Sequence, residues 1–443
     1  MDNLTGLTLG ETINGVKAKK FSVEEVNRAY LERIKKIDDK LNAYLWVNEN
    51  SDGIPAAIKD LISTKGITTT AGSKILENYA PPYNATVVGK LLENGISVIG
   101  KTNLDEFAMG SSGENSAYGA TKNPWNTLKV PGGSSSGSAA AVAADLCVFA
   151  LGTDTGGSVR QPASLCGVVG LKPSYGRASR YGLIAMASSL DTPGVLTKSV
   201  NDARLVLDWI SGPDGYDSNC SNSKFQISKD KFQIKGIRIG VPNEYFKEGL
   251  DRQVESVVRG AIKKLEELGA TIVDVELPHT QYAISTYYII MASEVSSNLS
   301  RFDGIRFGKS REKFGEEVKR RIMLGTYALS AGYYEAYYGK AQRMRRLIRD
   351  DFRRAFESVD ILVGPTAPTP AFGFGERTNN PLEMYLADIY TVAINLAGVP
   401  ALSIPCAIVK RDGKDLPVGL QIIGKWFDES AILSAAYTFE QSQ

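Results

Sequence analysis

One stretch, residues 131–164, constrains the fold more than any other part of the chain. It reads PGGSSSGSAAAVAADLCVFALGTDTGGSVRQPAS, with two glycine- and serine-rich segments on either side of a short apolar run. The first segment, Gly132–Ser138, leads into Ala139–Ala144, which favours a helix, and Cys147–Leu151 is typical of a buried strand. The second segment, Gly152–Ser158, turns sharply out of that strand. The stretch therefore predicts a loop, a small helix, a strand and a second loop.

Ser158 ends the second segment, directly after two glycines. Glycines reach backbone conformations closed to other residues, so N–H groups beside such a serine can converge where an oxyanion would form. A flexible linker is the ordinary alternative for a glycine- and serine-rich tract, but a second tract one short helix and strand later argues against it. A phosphate-binding loop is disfavoured because neither tract matches G-x-x-x-x-G-K-[ST] or G-x-G-x-x-G.

A nucleophilic serine needs a base, and the usual base is histidine. The chain has one histidine, His279, in a segment that indicates a turn after a strand and suggests no site. A lysine whose pKa is lowered by burial is the alternative base. Lys59 fits this role because it follows Ala56-Ala57-Ile58 at the end of an apolar strand, although most lysines lie on the surface.

These motifs resemble those of the amidase signature enzymes. The order Gly-Ile-Pro-x-x-Ile-Lys-Asp, Gly-Gly-Ser-Ser and Gly-Thr-Asp-Thr-Gly-Gly-Ser is typical of that family, which hydrolyses amides with a Ser/cis-Ser/Lys triad. The resemblance implies that Ser158 is the nucleophile, Ser134 the bridging serine and Lys59 the base. It also implies an oxyanion hole made by three backbone N–H groups, those of Thr155, Gly156 and Gly157.

Further segments are similar to one branch of the family, the glutamine-hydrolysing subunits of glutamyl-tRNA(Gln) amidotransferases. They include KRRIMLGTYALSAGYYEAYY, GPTAPTPAF and INLAGVPALSIPC. This resemblance implies a glutamine pocket in which Arg321 holds the α-carboxylate, Asp388 holds the α-ammonium and Tyr287 is a third wall. The chain departs from the branch at Ser136, which replaces a usual glycine, and in shortened segments near residue 50 and after Phe307.

The branch implies a division of labour between subunits. This chain would hydrolyse glutamine and pass ammonia to subunits B and C, where ATP and Mg²⁺ serve the conversion of Glu-tRNA(Gln) to Gln-tRNA(Gln). No cofactor or metal is then expected in this chain. A stand-alone amidase acting on a small amide is the alternative. A catalytically dead scaffold is disfavoured because all three triad residues are present.

Composition adds limits on partners and location. Lysine and arginine number 51 against 49 aspartate and glutamate, a net charge of +2 that does not suit a protein gripping nucleic acid over a broad face. The four isolated cysteines indicate neither a zinc site nor a disulfide framework. No apolar run is long enough to span a bilayer and no signal peptide is evident, so we expect a cytoplasmic protein with no membrane contact.

Alternating helix and strand patterns indicate the fold class. Ser22 begins a capping-box helix, Asn84–Asn94 predicts a second helix, and Ile96–Ile99 predicts the next strand. We therefore expect an α/β protein with the amidase signature fold, in which helices cover both faces of a central mixed β-sheet. We expect residues 1–443 to form a single domain. The polar segment Ser218–Lys231 could be a linker or a surface excursion.

Overall fold

The computed structural model describes residues 4–222, 234–247, 249–378 and 380–443. Of the polar segment Ser218–Lys231, residues 223–231 lie outside these ranges. Within them, eleven strands form one sheet. The strands are β1 Tyr44–Val47, β2 Ile54–Lys59, β3 Ile96–Thr102, β4 Phe149–Asp154, β5 Val169–Lys172, β6 Thr192–Thr197, β7 Arg238–Pro242, β8 Thr271–Val275, β9 Ile361–Pro365, β10 Ala401–Arg411 and β11 Lys414–Gly424.

The helices connect these strands and pack against the sheet. They are α1 Leu9–Lys17, α2 Val23–Leu41, α3 Thr86–Glu93, α4 Ser136–Ala143, α5 Arg160–Cys166, α6 Val200–Ile210, α7 Arg252–Glu267, α8 Ala283–Asn298, α9 Glu316–Leu329, α10 Lys340–Ser358, α11 Pro381–Leu386, α12 Val392–Ala397 and α13 Glu429–Glu440. None of those described has both the length and the apolar character that a bilayer crossing requires.

The sheet is mixed, and its strand order is β1-β3-β2-β4-β6-β5-β10-β11-β9-β7-β8. Strands β2, β3 and β4 are parallel to one another, whereas β4 and β6 are antiparallel. Strands β2, β3, β4, β5, β6 and β9 are buried at every residue. Because successive side chains of a strand point to opposite faces, both faces of this sheet are covered. The expected α/β class with a covered mixed sheet is confirmed.

A local sequence signal accounts for the start of α2. The Ser22 side chain accepts from the Glu25 N–H, and the Glu25 carboxylate accepts from the Ser22 N–H, which completes the capping box that begins α2. One boundary differs from expectation. Helix α4 begins at Ser136, inside the serine-rich segment, because serines that suggest a loop enter a helix once tertiary contacts hold them. Helix α10 begins at Lys340 after a π-helical turn, Glu335–Gly339.

The sheet brings the predicted site residues together. Strands β2 and β4 are parallel neighbours, so their carboxyl ends meet at one edge. Lys59 is the last residue of β2 and Asp154 is the last residue of β4. The chain leaves β4 through the turn that carries Ser158 and enters α5. A lysine and a glycine-supported serine turn therefore occupy the same edge of the sheet.

Candidate active site

Lys59 is fully buried at this edge and surrounded by hydroxyl groups. Its Nζ donates to Ser134 Oγ at 2.8 Å, to Ser135 Oγ at 3.0 Å and to Thr153 Oγ1 at 2.9 Å. Among the described residues it forms no ion pair. The amine is therefore held by neutral acceptors, and one of them is the predicted bridging serine.

Burial lowers the pKa of Lys59 to about 7, because desolvation penalises the charged ammonium. Three buried carboxylates, those of Asp105, Asp154 and Asp191, oppose the shift through space. A large fraction of the lysine is then neutral near pH 7, and neutral lysine can accept a proton. This is the protonation state that a general base requires.

Ser134 lies in a loop whose residues on either side, Gly133 and Ser135, are held by close contacts. The peptide bond between Gly133 and Ser134 is cis. A Cβ atom at Gly133 would lie 2.1 Å from Asp105 Oδ2, so only glycine fits there. The next residue ties this loop to the second one, because the Ser135 N–H donates to the Ser158 carbonyl at 3.1 Å. The two glycine- and serine-rich segments thus meet in space as well as in the sequence pattern.

The turn that carries Ser158 is organised by a carboxylate. Asp154 accepts from the N–H groups of Gly157 at 2.9 Å and Val159 at 3.2 Å, and Arg160 donates to it through Nε and Nη2, both at 3.0 Å. Burial alone would raise the pKa of Asp154, but the Arg160 guanidinium holds it at about 2. The carboxylate stays charged and fixes the turn from inside.

The rest of the chain secures Arg160 itself. Its Nη2 donates to Asn395 Oδ1 at 2.6 Å, and its Nη1 donates to Gln421 Oε1 at 2.7 Å. Asn395 also donates to Asp154 Oδ1 at 2.9 Å. The sequence motifs did not reveal this network. Its local signal is Asp154 and Arg160 six residues apart around the serine, but Asn395 and Gln421 have no local signal at all.

The predicted oxyanion donors differ in their hydrogen bonding. Gly157, at φ +134°, directs its N–H to Asp154. In the described ranges the N–H groups of Thr155, Gly156 and Ser158 have no hydrogen-bond partner. Two of the three predicted donors, Thr155 and Gly156, are therefore available to an oxyanion, and so is Ser158. The Thr155 hydroxyl donates to Asp191 Oδ1 at 2.8 Å and anchors the start of the turn.

Arg321, on α9, is buried. Its Nε donates to Glu317 Oε1 at 2.8 Å, and its guanidinium lies over the rings of Tyr288 at 5.2 Å and Tyr385 at 5.8 Å. Its Nη1 reaches only the Met291 sulfur, at 3.6 Å. The aromatic rings and Glu317 fix the guanidinium plane and leave its terminal nitrogens without a carboxylate acceptor in the described residues.

Asp388 is a second buried charge of opposite sign. Its Oδ2 accepts from the Ser111 hydroxyl at 2.6 Å. It forms no ion pair within the part of the chain that the structure describes. Burial raises its pKa to about 7, against the opposing effects of Ser111 and the nearby Arg321. A carboxylate in this state gains strongly from a cation placed beside it.

Tyr287 and Thr391 connect these charges to the serine turn. A Cβ atom at Gly156 would lie 2.7 Å from the Tyr287 hydroxyl oxygen, so the phenol packs directly on the turn. The Thr391 hydroxyl donates to the carbonyls of Gly156 at 2.5 Å and Asp388 at 3.0 Å. The structure therefore connects Tyr287 and Asp388 to the turn of the predicted nucleophile, and Arg321 acts on both of them through space. Thr391 is a further member of the site, and no sequence motif pointed to it.

His279 has a structural setting of its own. His279 lies ahead of α8, and Asp351 lies within α10. The His279 Nδ1 lies 2.9 Å from Asp351 Oδ1, and the His279 backbone N–H donates to Asp351 Oδ2 at 2.8 Å. It contacts none of the predicted triad residues. Within the described ranges no group of three or more histidine, cysteine or acidic side chains is arranged to hold a metal ion.

The fold and the three motifs define the class, and the chain belongs to the amidase family, whose sequence model matches residues 23–433. Two similar relatives are the glutamyl-tRNA(Gln) amidotransferase subunits A of Thermoanaerobacter pseudethanolicus and Thermodesulfovibrio yellowstonii. Each is 54% identical and covers 99% of this chain, and the match spans 97% of the first relative and 98% of the second. The resemblance to the amidase signature enzymes is thereby confirmed.

Solved structures of other proteins have the same fold as this chain. The crystal structure of the corresponding amidotransferase subunit from Thermotoga maritima has a TM-score of 0.89 at 45% identity and covers 100% of this chain and 96% of that one. The structure of 6-aminohexanoate cyclic dimer hydrolase complexed with substrate also has a TM-score of 0.89, at 25% identity and with 100% and 98% coverage. The fold is shared by amide hydrolases of different specificity, so the side chains of the pocket must distinguish them.

Proposed function

We propose that this chain is the glutamine-hydrolysing subunit of a glutamyl-tRNA(Gln) amidotransferase. The observation that carries the proposal is the juxtaposition of a buried, hydroxyl-bound lysine and serine turn with two buried charges of opposite sign: Arg321, whose Nε pairs with Glu317 and whose terminal nitrogens have no carboxylate acceptor in the described residues, and Asp388, which has no ion pair there. A simple amide would use the lysine and the serine turn alone. An amide that also bears an α-carboxylate and an α-ammonium would use Arg321 and Asp388 as well.

The proposed reaction begins with proton transfer. Neutral Lys59 takes the proton of Ser134, which takes the proton of Ser158, and the Ser158 oxygen attacks the side-chain amide carbon of glutamine. The carbonyl electrons move to oxygen, and the N–H groups of Gly156 and Ser158 stabilise that charge. The lysine proton returns through Ser134 to the amide nitrogen, and ammonia leaves. Water, activated by the same relay, hydrolyses the ester to glutamate and frees Ser158.

The pocket supplies the specificity in this proposal. The terminal nitrogens of Arg321 bind the α-carboxylate of glutamine, a contact for which a planar guanidinium is suited. Asp388 binds the α-ammonium, and Tyr287 packs between this site and the turn. Because Arg321 and Asp388 are already buried, pairing them with the charges of the ligand adds little desolvation cost on the protein side.

Ammonia in water at neutral pH is mostly protonated and no longer nucleophilic, so it has to reach its acceptor along a shielded path. We infer that subunits B and C provide the second site, where ATP and Mg²⁺ activate the glutamate of Glu-tRNA(Gln). The names of the relatives support a multi-subunit assembly. The net charge of +2 is consistent with RNA contacts on a partner. Such an enzyme works in the cytoplasm and needs no cofactor in this chain.

The test measures glutamate release by this chain alone, then with subunits B and C, then with ATP and Glu-tRNA(Gln) added. We expect slow hydrolysis at the first stage and a clear rise at the later ones, with Gln-tRNA(Gln) formed only at the last. Ser158→Ala in the full complex should form Gln-tRNA(Gln) from added ammonia but not from glutamine. Full activity of the chain alone, with no preference for glutamine over a simple amide, would instead identify a stand-alone amidase.

A further inference from the structure

A cavity of about 500 Å³ lies outside the site described above, against the exposed side of α10. Its walls come from α10, from the end of α12 with the residue that follows it, and from the loop between β11 and α13. Tyr175 and Ser189, from the loop between β5 and β6, and Asn219, after α6, complete the lining. The side chains that define its character are three arginines and three aromatic residues: Arg345, Arg346, Arg349, Tyr175, Trp426 and Phe427. None of the described residues that line it is acidic.

The three arginines are not equivalent. Arg345 is bound to the protein, because its guanidinium donates to the Leu396 carbonyl at 3.0 Å and to the hydroxyl and carbonyl of Ser189 at 2.8 and 2.9 Å. Arg346 and Arg349 form neither a hydrogen bond nor an ion pair with any described residue. Glu294, a carboxylate that acts on Arg345 through space, is engaged by the N–H and hydroxyl of Ser189. Two guanidinium groups therefore remain free to bind an anion.

The aromatic residues are fixed in place. The Trp426 indole donates to the Ala397 carbonyl at 2.9 Å, and Arg349 lies 5.3 Å above its ring. Phe427 is 37% exposed and has a φ of +61°, a left-handed conformation that is uncommon for a large side chain. Its N–H donates to Ser174 Oγ at 2.8 Å, and its carbonyl accepts from Arg177 at 2.8 Å. The backbone thus holds an apolar ring at the cavity wall instead of burying it.

We propose that this cavity binds a nucleoside phosphate. Free guanidinium groups bind phosphate oxygens in a bidentate manner. Each of the three rings has a guanidinium over one face, since Arg177 lies 4.9 Å from the Phe427 ring and Arg180 lies 5.1 Å from the Tyr175 ring, so a planar base would stack on the opposite face of a ring or on a guanidinium plane. The cavity volume lies within the range of small-molecule sites, about 300–1,000 Å³. The absence of lining carboxylates in the described residues disfavours a cationic ligand. A duplex or an extended RNA strand would require a broad basic face, which a concave cavity of this size does not offer.

Isothermal titration of the whole chain with AMP, inorganic phosphate and adenosine tests the proposal. We expect AMP to bind more tightly than either fragment, and its affinity to fall with added salt. The double variant Arg346→Gln/Arg349→Gln should weaken AMP binding by about tenfold or more, because both charge-assisted hydrogen bonds to the phosphate are lost. Trp426→Leu should weaken AMP and leave phosphate unchanged. Arg343→Gln, an exposed arginine on the same helix outside the cavity, is the matched control.

The proposal fails if phosphate binds as tightly as AMP, because the aromatic walls then contribute nothing. It also fails if AMP does not bind, or if unstructured RNA binds through the same two arginines while AMP does not. Glutamine hydrolysis by each variant, measured in parallel, should stay at the wild-type level. This readout separates failure of the nucleotide site from failure of the proposed glutaminase function.

Discussion

Two buried lysines on neighbouring strands, Lys59 on β2 and Lys101 on β3, differ in their partners. Lys101 forms an ion pair with Asp60 at 3.2 Å and donates to the Ile62 carbonyl at 2.8 Å. Lys59 donates to hydroxyls. It lies opposite Thr102 in the parallel register, and Thr102 is the residue after Lys101, so the side chains of Lys59 and Lys101 point to opposite faces of the sheet. Burial lowers both pKa values, but only Lys101 has a carboxylate beside it to favour its charge.

The difference means that burial alone does not distinguish the proposed base from the other buried lysines. Lys172, at the end of β5, is also fully buried, and desolvation lowers its pKa to about 7. Yet its hydrogen bond goes to the Pro173 carbonyl at 2.8 Å, and a carbonyl has no proton to give. Of these three lysines, only Lys59 combines a lowered pKa with contact to a serine hydroxyl that leads to the nucleophile loop.

The largest expected effect is on catalysis through Lys59. Lys59→Met should lower kcat for glutamine by about 10⁴-fold or more, since members of a coupled relay are lost as a unit. The thermal unfolding midpoint should stay the same or rise, because a buried amine is replaced by an apolar chain of similar length. Steady-state kinetics and calorimetry on one preparation measure both. A variant with near wild-type kcat would exclude Lys59 as the base.

Lys101→Met should show the opposite pattern. Removing the cation leaves Asp60 buried without an opposite charge, which costs about 3–5 kcal/mol of unfolding free energy. Asp60→Asn in the same chain should restore part of the loss, because the amide is neutral and its oxygen still accepts from Thr70. Urea unfolding of the single and double variants measures this. Catalysis lost together with full stability would mean that Lys101 belongs to the reaction.

A third test uses Asp388, a buried carboxylate with no cation beside it in the described residues. Asp388→Asn should cost about 2–4 kcal/mol of glutamine binding free energy, which raises KM for glutamine roughly 30- to 1,000-fold. The KM for a simple amide should change little. Asp388→Asn keeps the side-chain size and the acceptor for Ser111, so it tests charge. Equal losses on both substrates would assign Asp388 a structural role.

The pH dependence separates the two groups. Lys59 acts when neutral and Asp388 binds when ionised, and the pKa of each is about 7, so kcat/KM should rise with pH through neutrality and then level off. Below pH 7 protonation of Asp388 should also raise KM. In Asp388→Asn the KM should become independent of pH while kcat keeps its rise. A kcat that falls as pH increases through 7 contradicts a neutral lysine base.

The smallest effect is expected at His279. The partly exposed hydrogen bond between its ring and Asp351 contributes about 1 kcal/mol, so His279→Ala should lower the unfolding free energy slightly. Glutamine hydrolysis should remain at the wild-type rate. Collapse of turnover in a folded variant would show that a histidine takes part in the reaction after all.

The parts of the molecule that depend on local signals could be predicted from the sequence. The Ser22 capping box, the apolar strand before Lys59 and the strand that enters the second glycine- and serine-rich segment all predict what the chain forms there. The first such segment does not, because helix α4 begins inside it. The sequence could not show which lysines are paired, since Asp60 follows Lys59 in the chain but pairs with Lys101. The pocket residues came from resemblance alone, because three distant segments carry them and none has a local pattern.

The Arg160 network has a consequence for the timing of synthesis. One acceptor of this arginine, Gln421, lies 261 residues further along the chain. At about 5–20 residues per second, the ribosome needs tens of seconds to add it after the serine turn has emerged. Until then the arginine that holds the turn lacks its hydrogen bond to Gln421. We therefore expect a nascent or prematurely terminated chain to hold the serine turn less firmly than the finished molecule does.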